Sequence, residues 1–297
     1  MEFTVCRLKS GGFPVTVTGE AKKGERMSEQ MDCEKIGSLL NRLYRVTGAE
    51  CFFEEPFSGV ASASDAWFER FKSVIGEFHW TPQEALEQVA PGAVAKSVIV
   101  WILPVKRSIR AANAEEKVRP AVPWAAMRSF GELANDNMRR QFCRLLEQAG
   151  YRAVAPHLEQ VRQGFDIVKM NFTSHWSERH AAFVAGLGTF GLSAGLITER
   201  GIAMRIGSVV TDLELPPTPR SYGDDPFAWC TRCGACAKRC PAHAIGKTNA
   251  ERDKPRCGAY VVNHVNPGRG ERYGWLDLAL GCGLCQTAVP CEFRRPK

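Results

Sequence analysis

Twelve of the 297 residues are cysteines, and eight of them fall between positions 230 and 291 with spacings that suit metal ligation. The first part of that stretch reads Cys230-Thr-Arg-Cys233-Gly-Ala-Cys236-Ala-Lys-Arg-Cys240-Pro241, or C-x2-C-x2-C-x3-C-P. This spacing holds cubane iron–sulfur clusters. Three thiolates in one tight loop reach three irons of a single cube, and the fourth, carried onto the next helical turn, points away from it. Cys240 must then serve a second cube. Each cube takes four cysteine thiolates, and Cys257, Cys282, Cys285 and Cys291 complete two sets. The geometry allocates Cys230, Cys233, Cys236 and Cys291 to one [4Fe-4S] cluster, and Cys240, Cys257, Cys282 and Cys285 to the other.

Paired C-x2-C motifs also make structural zinc sites. Those draw their ligands as two separated pairs, and a triple run closed by Cys-Pro fits them poorly. Disulfides fit less well still, since a chain of this length with dense, short cysteine spacings is unlike a small secreted scaffold. Cys6, Cys33, Cys51 and Cys143 lie outside the pattern and read as buried small hydrophobes.

The remaining sequence has to carry and position these ligands. With 44% hydrophobic and 24% charged residues it is ordinary for a globular protein. The apolar run Ser97-Val-Ile-Val-Trp-Ile-Leu-Pro104 is far short of the roughly 20 residues of a membrane-spanning helix. Met1-Glu-Phe-Thr-Val has an acid at position two and no apolar leader core, so a cytoplasmic location is the expectation. The formal charge is +7. Two oxidised clusters at about −2 each would bring the loaded protein to about +3, which is not the footprint of a dedicated nucleic-acid binder.

Residues 1–26 read as an N-terminal extension with strand-like pieces at Phe3–Cys6 and Val15–Val17. Ile36, Leu39, Leu40 and Leu43 recur at helical spacing, with Gly48 as the stop. A second helix is expected over Asp65–Ile75, and a third after Thr81-Pro82-Gln-Glu84, a capping box. Ser97–Leu103 has the continuous apolar character of a buried central strand. Lys106–Pro120 reads as a polar loop, Phe130–Gln148 as a long helix, and Tyr151–Pro156 and Ile202–Thr211 as strands. Helices alternating with short apolar strands predict an α/β (α+β) domain over 27–215. Pro216-Pro-Thr-Pro219 is the expected linker to a ferredoxin-like double-cluster domain over 216–297.

Gly186-Leu187-Gly188-Thr-Phe-Gly191 matches G-x-G-x-x-G, but a dinucleotide fingerprint needs a strand before the glycines and a helix after them. Here Ser177–Ala185 reads as a helix in front. Glycines at such spacing suit close backbone approach to a bulky cofactor.

The segment Ser177-Glu178-Arg179-His-Ala-Ala-Phe-Val-Ala-Gly186-Leu187-Gly188-Thr-Phe-Gly191, a strand ending Thr211-Asp212-Leu213 and the eight-cysteine pattern follow one another in the chain. Together they resemble the epoxyqueuosine reductases and the related corrinoid reductive dehalogenases, over roughly residues 95–291. The resemblance implies cobalamin bound between an α/β domain and the cluster domain, with the clusters passing electrons to cobalt. It implies a reductive step that removes oxygen from a modified nucleoside of tRNA, or halide from a small organohalide. It also implies a low-potential donor such as a ferredoxin or flavodoxin. On the matching positions it places Glu178, Arg179, Gly186, Leu187, Gly188 and Gly191 at the cofactor, with His175 beside them. Where the family carries R-D-Y-H with a proton-donating Asp, this chain has Asn135-Asp136-Asn137-Met138. Asp136 is therefore the catalytic candidate, or else an N-cap for a helix opening at Met138. The last cysteines are spaced Cys282-x2-Cys285-x5-Cys291, two residues longer than the family's closing motif. Two further readings fit the cysteines alone: a ferredoxin-type electron carrier, and a protein that reduces or reactivates a corrinoid for another enzyme.

Overall fold

The structure, a computed structural model, describes residues 31–166, 169–170, 172–248, 252–273 and 281–297. The expected strands at Phe3–Cys6 and Val15–Val17, and Cys6 itself, lie outside them. Helix α1 (Cys33–Val46) opens on Asp32, whose carboxylate accepts the Lys35 N–H at 2.9 Å, and stops before Gly48 at φ 76°. Strand β1 (Phe57–Ser62) and helix α2 (Trp67–Ile75) follow. Helix α3 (Pro82–Glu87) has the expected reciprocal capping box of Thr81 and Glu84. Strand β2 (Ser97–Pro104) is buried along its whole length. Where a polar loop was expected the chain forms helix α4 (Arg107–Glu115), because Ile109, Arg110 and Asn113 turn inward at helical spacing.

Helices α5 (Val122–Ala126) and α6 (Glu132–Gln148) are joined without a break by a π-turn over Met127–Gly131. The chain continues through β3 (Ala153–Val154), α7 (Pro156–Arg162), α8 (Glu178–Val184), a small hairpin of β4 (Thr189–Phe190) and β5 (Leu196–Ile197), and β6 (Met204–Thr211). Only short helices occur in the cysteine segment as described: α9 (Ala235–Lys238), α10 (Lys254–Tyr260) and α11 (Arg269–Tyr273).

The main sheet has the order β1-β2-β6-β3 and is antiparallel throughout. The fold is thus mixed α/β, with no parallel crossover in that sheet. Alternation along β2 sends Ile99, Trp101 and Leu103 to one core, with α1 and α6, and Val98, Val100 and Ile102 to the other, with α2, α3 and α8. Both faces are covered, which is why β2 reads as an unbroken apolar run. Trp101 lies across Gly207 of β6, where a β-carbon would collide with the indole. Its Nε1–H donates to Asn135 Oδ1 at 2.9 Å, and Asn135 Nδ2 donates to the Ile206 carbonyl at 3.0 Å. This bridge fixes the rotation of α6 over β6 and so aims its neighbours Asp136 and Arg139.

The segment 216–219 is docked rather than free. Val60 and Thr218 exchange hydrogen bonds at the β1 edge, at 2.9 and 2.8 Å. The cysteine segment is bonded to the sheet portion at several places: Trp124 Nε1–H donates to the Gly281 carbonyl at 3.2 Å, Asn113 Nδ2 to the Cys282 carbonyl at 3.3 Å, and Ile202 N–H to the Cys291 carbonyl at 2.8 Å.

Candidate cysteine and ionic centre

The eight patterned cysteines gather into two tetrads. Cys230, Cys233, Cys236 and Cys291 line one cavity together with Gly191, Ile197 and Val289. Cys240, Cys257, Cys282 and Cys285 line a second, with Pro241, Ile245 and Arg252. Gly234, at φ 72°, turns the chain into α9 and carries Cys236 toward the first cavity, while Cys240, just beyond that helix, faces the second. Cys257 arrives on α10, capped by Asp253, which accepts the Arg256 N–H at 2.8 Å. All eight sulfurs are free thiols. Burial pushes the Cys285 and Cys291 thiols up to about 12 and raises Cys236 and Cys282. A sulfur held there as thiolate needs a metal to offset its desolvation. The all-sulfur donor sets fit a [4Fe-4S] cube at each tetrad. Of the other cysteines, Cys51 and Cys143 are half-buried, but Cys33 is exposed on the first turn of α1, contrary to the buried role expected for it.

A second centre lies between α6, β6 and α8. Arg139, buried at 1% exposure, faces three carboxylates: Asp136 at 2.6 Å, Glu132 at 2.9 Å and Glu178 at 3.1 Å. Its Nη2 also donates to the Ile206 carbonyl at 2.6 Å. Arg205 donates to Glu132 Oε2 at 2.5 Å, and Ser208 Oγ, which accepts from the Trp176 indole N–H, donates to Glu178 Oε2 at 2.5 Å. One guanidinium cannot neutralise three carboxylates. Burial disfavours the charge on Glu132, yet Arg205 and Arg139 outweigh it and hold that carboxyl well below the usual range. Burial raises Asp136 and Glu178 against the pull of Arg139, so these two are pushed toward the protonated acid. His157 Nε2 stands 4.0 Å from Asp136 Oδ1, and burial together with Arg139 drops its imidazole to about 3, keeping it neutral. Donor atoms of Glu132, Asp136 and His157 lie within 4.8 Å of one another. Arg139 and Arg205 already offset these carboxylates, which argues against a cation site.

Several sequence expectations change here. Asp136 is not a helix N-cap. The π-turn carries α5 into α6, so Asp136 sits inside a helix that begins at Glu132. At Gly186 and Gly188 the β-carbon direction meets the chain's own backbone, whereas Gly191 lines the first cysteine cavity. A β-carbon on Gly188 would overlap the Ile197 carbonyl, one on Gly186 (φ 77°) would stand 2.8 Å from the Pro219 carbonyl, and one on Gly191 would stand 3.2 Å from Ile197 Cδ1. Gly186 and Gly188 thus let the β4–β5 hairpin and 216–219 pack tightly against the end of α8. Leu187 is buried beneath Gly59 of β1. His175 stacks on Trp80 at 5.1 Å and bonds the Phe78 carbonyl at 3.0 Å, in the aromatic turn that follows α2. Glu178 and Arg179 point to different partners: Glu178 to Arg139, and Arg179 to the Ala194 carbonyl at 2.5 Å. G-x-G-x-x-G is preceded by α8 and runs into β4, as the rejection of a dinucleotide loop requires.

Sequence reasoning missed Arg128, Glu132, His157 and Arg205. The helical spacing of Arg128, Glu132, Asp136 and Arg139 was a usable signal, since residues three and four apart share a helix face. Arg128 is held down to about 9 by Arg205 and by burial, and its buried Nε has no hydrogen-bond partner.

The fold and site therefore define a mixed α/β protein with two cysteine tetrads docked against an antiparallel sheet. No family model matches the chain. The structure resembles epoxyqueuosine reductase from Streptococcus thermophilus with a TM-score of 0.51 and 16% identity, over 88% of this chain and 66% of that one. In sequence, 128 residues are 34% identical to an epoxyqueuosine reductase of Synechococcus sp. (strain CC9605), covering 40% of this chain and 35% of the relative. Another 66-residue match is 48% identical to tetrachloroethene reductive dehalogenase of Desulfitobacterium hafniense, covering 22% of this chain and 12% of the relative. Both groups named by the sequence resemblance thus recur among the relatives, and the matches span only part of each relative's length.

Proposed function

We propose that the chain is a cobalamin- and iron–sulfur-dependent reductase. The observation that carries this is the pair of four-cysteine cavities with exchanged members, Cys240 leaving the first run and Cys291 returning to it. Cys230, Cys233, Cys236 and Cys291 would hold one [4Fe-4S] cluster, and Cys240, Cys257, Cys282 and Cys285 the other. Bound there, the clusters supply one-electron transfer from a ferredoxin or flavodoxin, and cobalamin supplies the low-valent metal chemistry. At Gly186 and Gly188 the loop meets the chain's own backbone instead of an open cradle. The residues that fit a large polar ligand are Arg128, with its unpartnered buried Nε, and the adjoining Arg205. Asp136, pushed toward its neutral form beside Arg139, holds a proton on its carboxyl for delivery to a reduced substrate. The substrate is a small molecule or a modified nucleoside, and tRNA is the macromolecular form of the latter. The related proteins' names support this class: epoxyqueuosine for one group, a chlorinated alkene for the other. No helix among the described residues is long and apolar enough to cross a membrane, and the proposed location is the cytoplasm.

The packing at Gly186 and Gly188 also favours a second reading, an electron-transfer protein that binds no corrin. Calorimetry with cobalamin separates the two, with binding expected to weaken in Arg128→Gln while the cluster spectrum stays unchanged. Anaerobic reconstitution should give about eight iron and eight sulfide per chain. Cys240→Ala should abolish the second cluster and spare the first. Stoichiometric zinc without charge-transfer absorbance would sink the iron–sulfur reading.

A further inference from the structure

The two tetrads sit in unequal electrostatic surroundings. Arg252 donates from Nη2 to Cys257 Sγ at 3.1 Å and from Nη1 to the Ser193 carbonyl. The next carbonyl along, that of Ala194, accepts Arg179 Nη1 at 2.5 Å. Adjacent carbonyls of one loop thus hold two guanidiniums beside the second cavity. They repel each other: burial, then Arg252 and Arg205, hold Arg179 down to about 10, and burial with the same Arg179 and Arg252 lowers Lys254. The negative groups acting on Arg252 are the sulfurs of Cys285, Cys257 and Cys240, and those acting on Arg179 are Cys285 and Cys257. A backbone N–H, that of Ala244, also reaches Cys240 Sγ at 3.4 Å. At the first tetrad the backbone N–H of Ala237 likewise reaches Cys236, so backbone bonds do not separate the two sites; among the described residues, the charged side chain that hydrogen-bonds a patterned sulfur is Arg252, at the second.

Reducing a cluster adds one negative charge to it. A fixed cation and N–H···S hydrogen bonds stabilise that added charge, and they raise the reduction potential where they are present. We propose that Arg252, assisted by Arg179, sets the cluster of Cys240, Cys257, Cys282 and Cys285 at the higher potential, so that electrons pass from the first tetrad to the second. The step moves one electron: the first cluster is oxidised, the second is reduced, and no bond is made or broken. The first cluster is then refilled by the low-potential donor. The receiving tetrad is also the one next to the ionic centre, since Arg128 lies against Gly281 and is acted on by Cys282. This inference rests on the iron–sulfur reading and is tested separately from it.

The experiment is a potentiometric titration followed by electron paramagnetic resonance on the anaerobically reconstituted full chain. The signal missing from Cys285→Ala is assigned to the second cluster. In wild type that signal should have the higher midpoint potential. Arg252→Gln should lower it by at least tenfold in the exchange equilibrium between clusters, about 59 mV for a one-electron couple, while the first cluster stays unmoved. Arg252→Lys should retain part of the difference. Because Arg252 also ties down the Ser193 loop, Arg252→Gln can lose the cluster altogether. Arg179→Gln, which touches no sulfur, then decides, with a smaller drop confined to the same signal. Unchanged potentials in these variants, an equal shift in both clusters, or a first cluster already higher in wild type would overturn the proposal. A wild-type protein without two iron–sulfur signals would instead overturn the reading beneath it.

Discussion

The sheet portion and the cysteine portion are held together by different forces. Strands β2 and β6 pair over eight residues each, and the two cores on either face contain most of the buried apolar side chains. In the cysteine portion the helices are short: four residues in α9, seven in α10 carried on by a π-turn over Val261–Val265, and five in α11. Tyr222, Trp229 and Val289 join the sheet's second core, but the remaining buried clusters are small, one built on Leu192, Cys240, Ala242, Ala244 and Ile245 and another on Ala125, Val265 and Tyr273. Helices that short do not persist through their own hydrogen bonds. One portion stands by burial; the other would rest largely on the ligation proposed for its cysteines.

The sharpest way to break that comparison is to remove the metal of the proposed clusters. Chelation should open 230–291 to protease while leaving the sheet's circular dichroism in place, a loss on the order of 10 kcal/mol by the scale of structural thiolate sites. Simultaneous collapse of both portions would show that they fold as one unit. The converse experiment attacks burial. Trp101→Ala deletes the indole over Gly207 and the bridge to Asn135, and should cost about 3–5 kcal/mol in denaturant melts of the loaded protein.

Acid should also weaken the sheet portion, through its buried histidines. His79 is lowered to about 4 by burial and Lys72, and His157 to about 3 by burial and Arg139, against about 6.5 in the unfolded chain. Both folded values are depressed, so the unfolded state takes up the proton first. The stabilisation is complete above about pH 6.5 and is lost as pH falls toward 4 and 3. Between pH 7 and pH 5 each should cost about 2 kcal/mol, and His79→Gln should flatten part of that slope. The smallest effect belongs to a helix cap. Thr81→Ala removes the acceptor of the Glu84 N–H and should cost about 1 kcal/mol.

The same division governs what the sequence made legible. Strand β2, the stop at Gly48 and the Thr81 capping box were readable because period, capping and turn chemistry act locally. The cysteine pattern was readable because most of the sulfurs that line one cavity come from one short run. Strand β1 was missed: Phe57-Ser-Gly-Val-Ala-Ser62 has few strand-forming residues, and Gly59 serves an approach by the Ala185 carbonyl and Leu187. Helix α4 was hidden by its charges, of which Arg110 turns inward to Glu54 at 3.4 Å. The expected helix Phe130–Gln148 is α6 to within two residues; the alternative opening at Met138 fails because the π-turn carries α5 into α6. For the glycines, close approach was legible but its object was not: only the fold reveals that Pro219 and Ile197 stand opposite Gly186 and Gly188, while Gly191 lines the first cysteine cavity. The ionic centre draws residues from α6, α7, α8 and β6, and no single window of sequence contains it.

The exchange of Cys240 and Cys291 between the cavities also bears on synthesis. As the chain leaves the ribosome, Cys230, Cys233 and Cys236 emerge together, but their fourth partner is the last of the eight to appear. The other cavity waits for Cys285, only six residues earlier. The first cavity therefore remains an open three-sulfur site, and the second holds only Cys240 and Cys257 until Cys282, so both stay incomplete up to Cys285. Loading of both proposed clusters would thereby wait on the last cysteines of the pattern, and a nascent chain stalled between Cys285 and Cys291 would close one cavity and leave the other ajar.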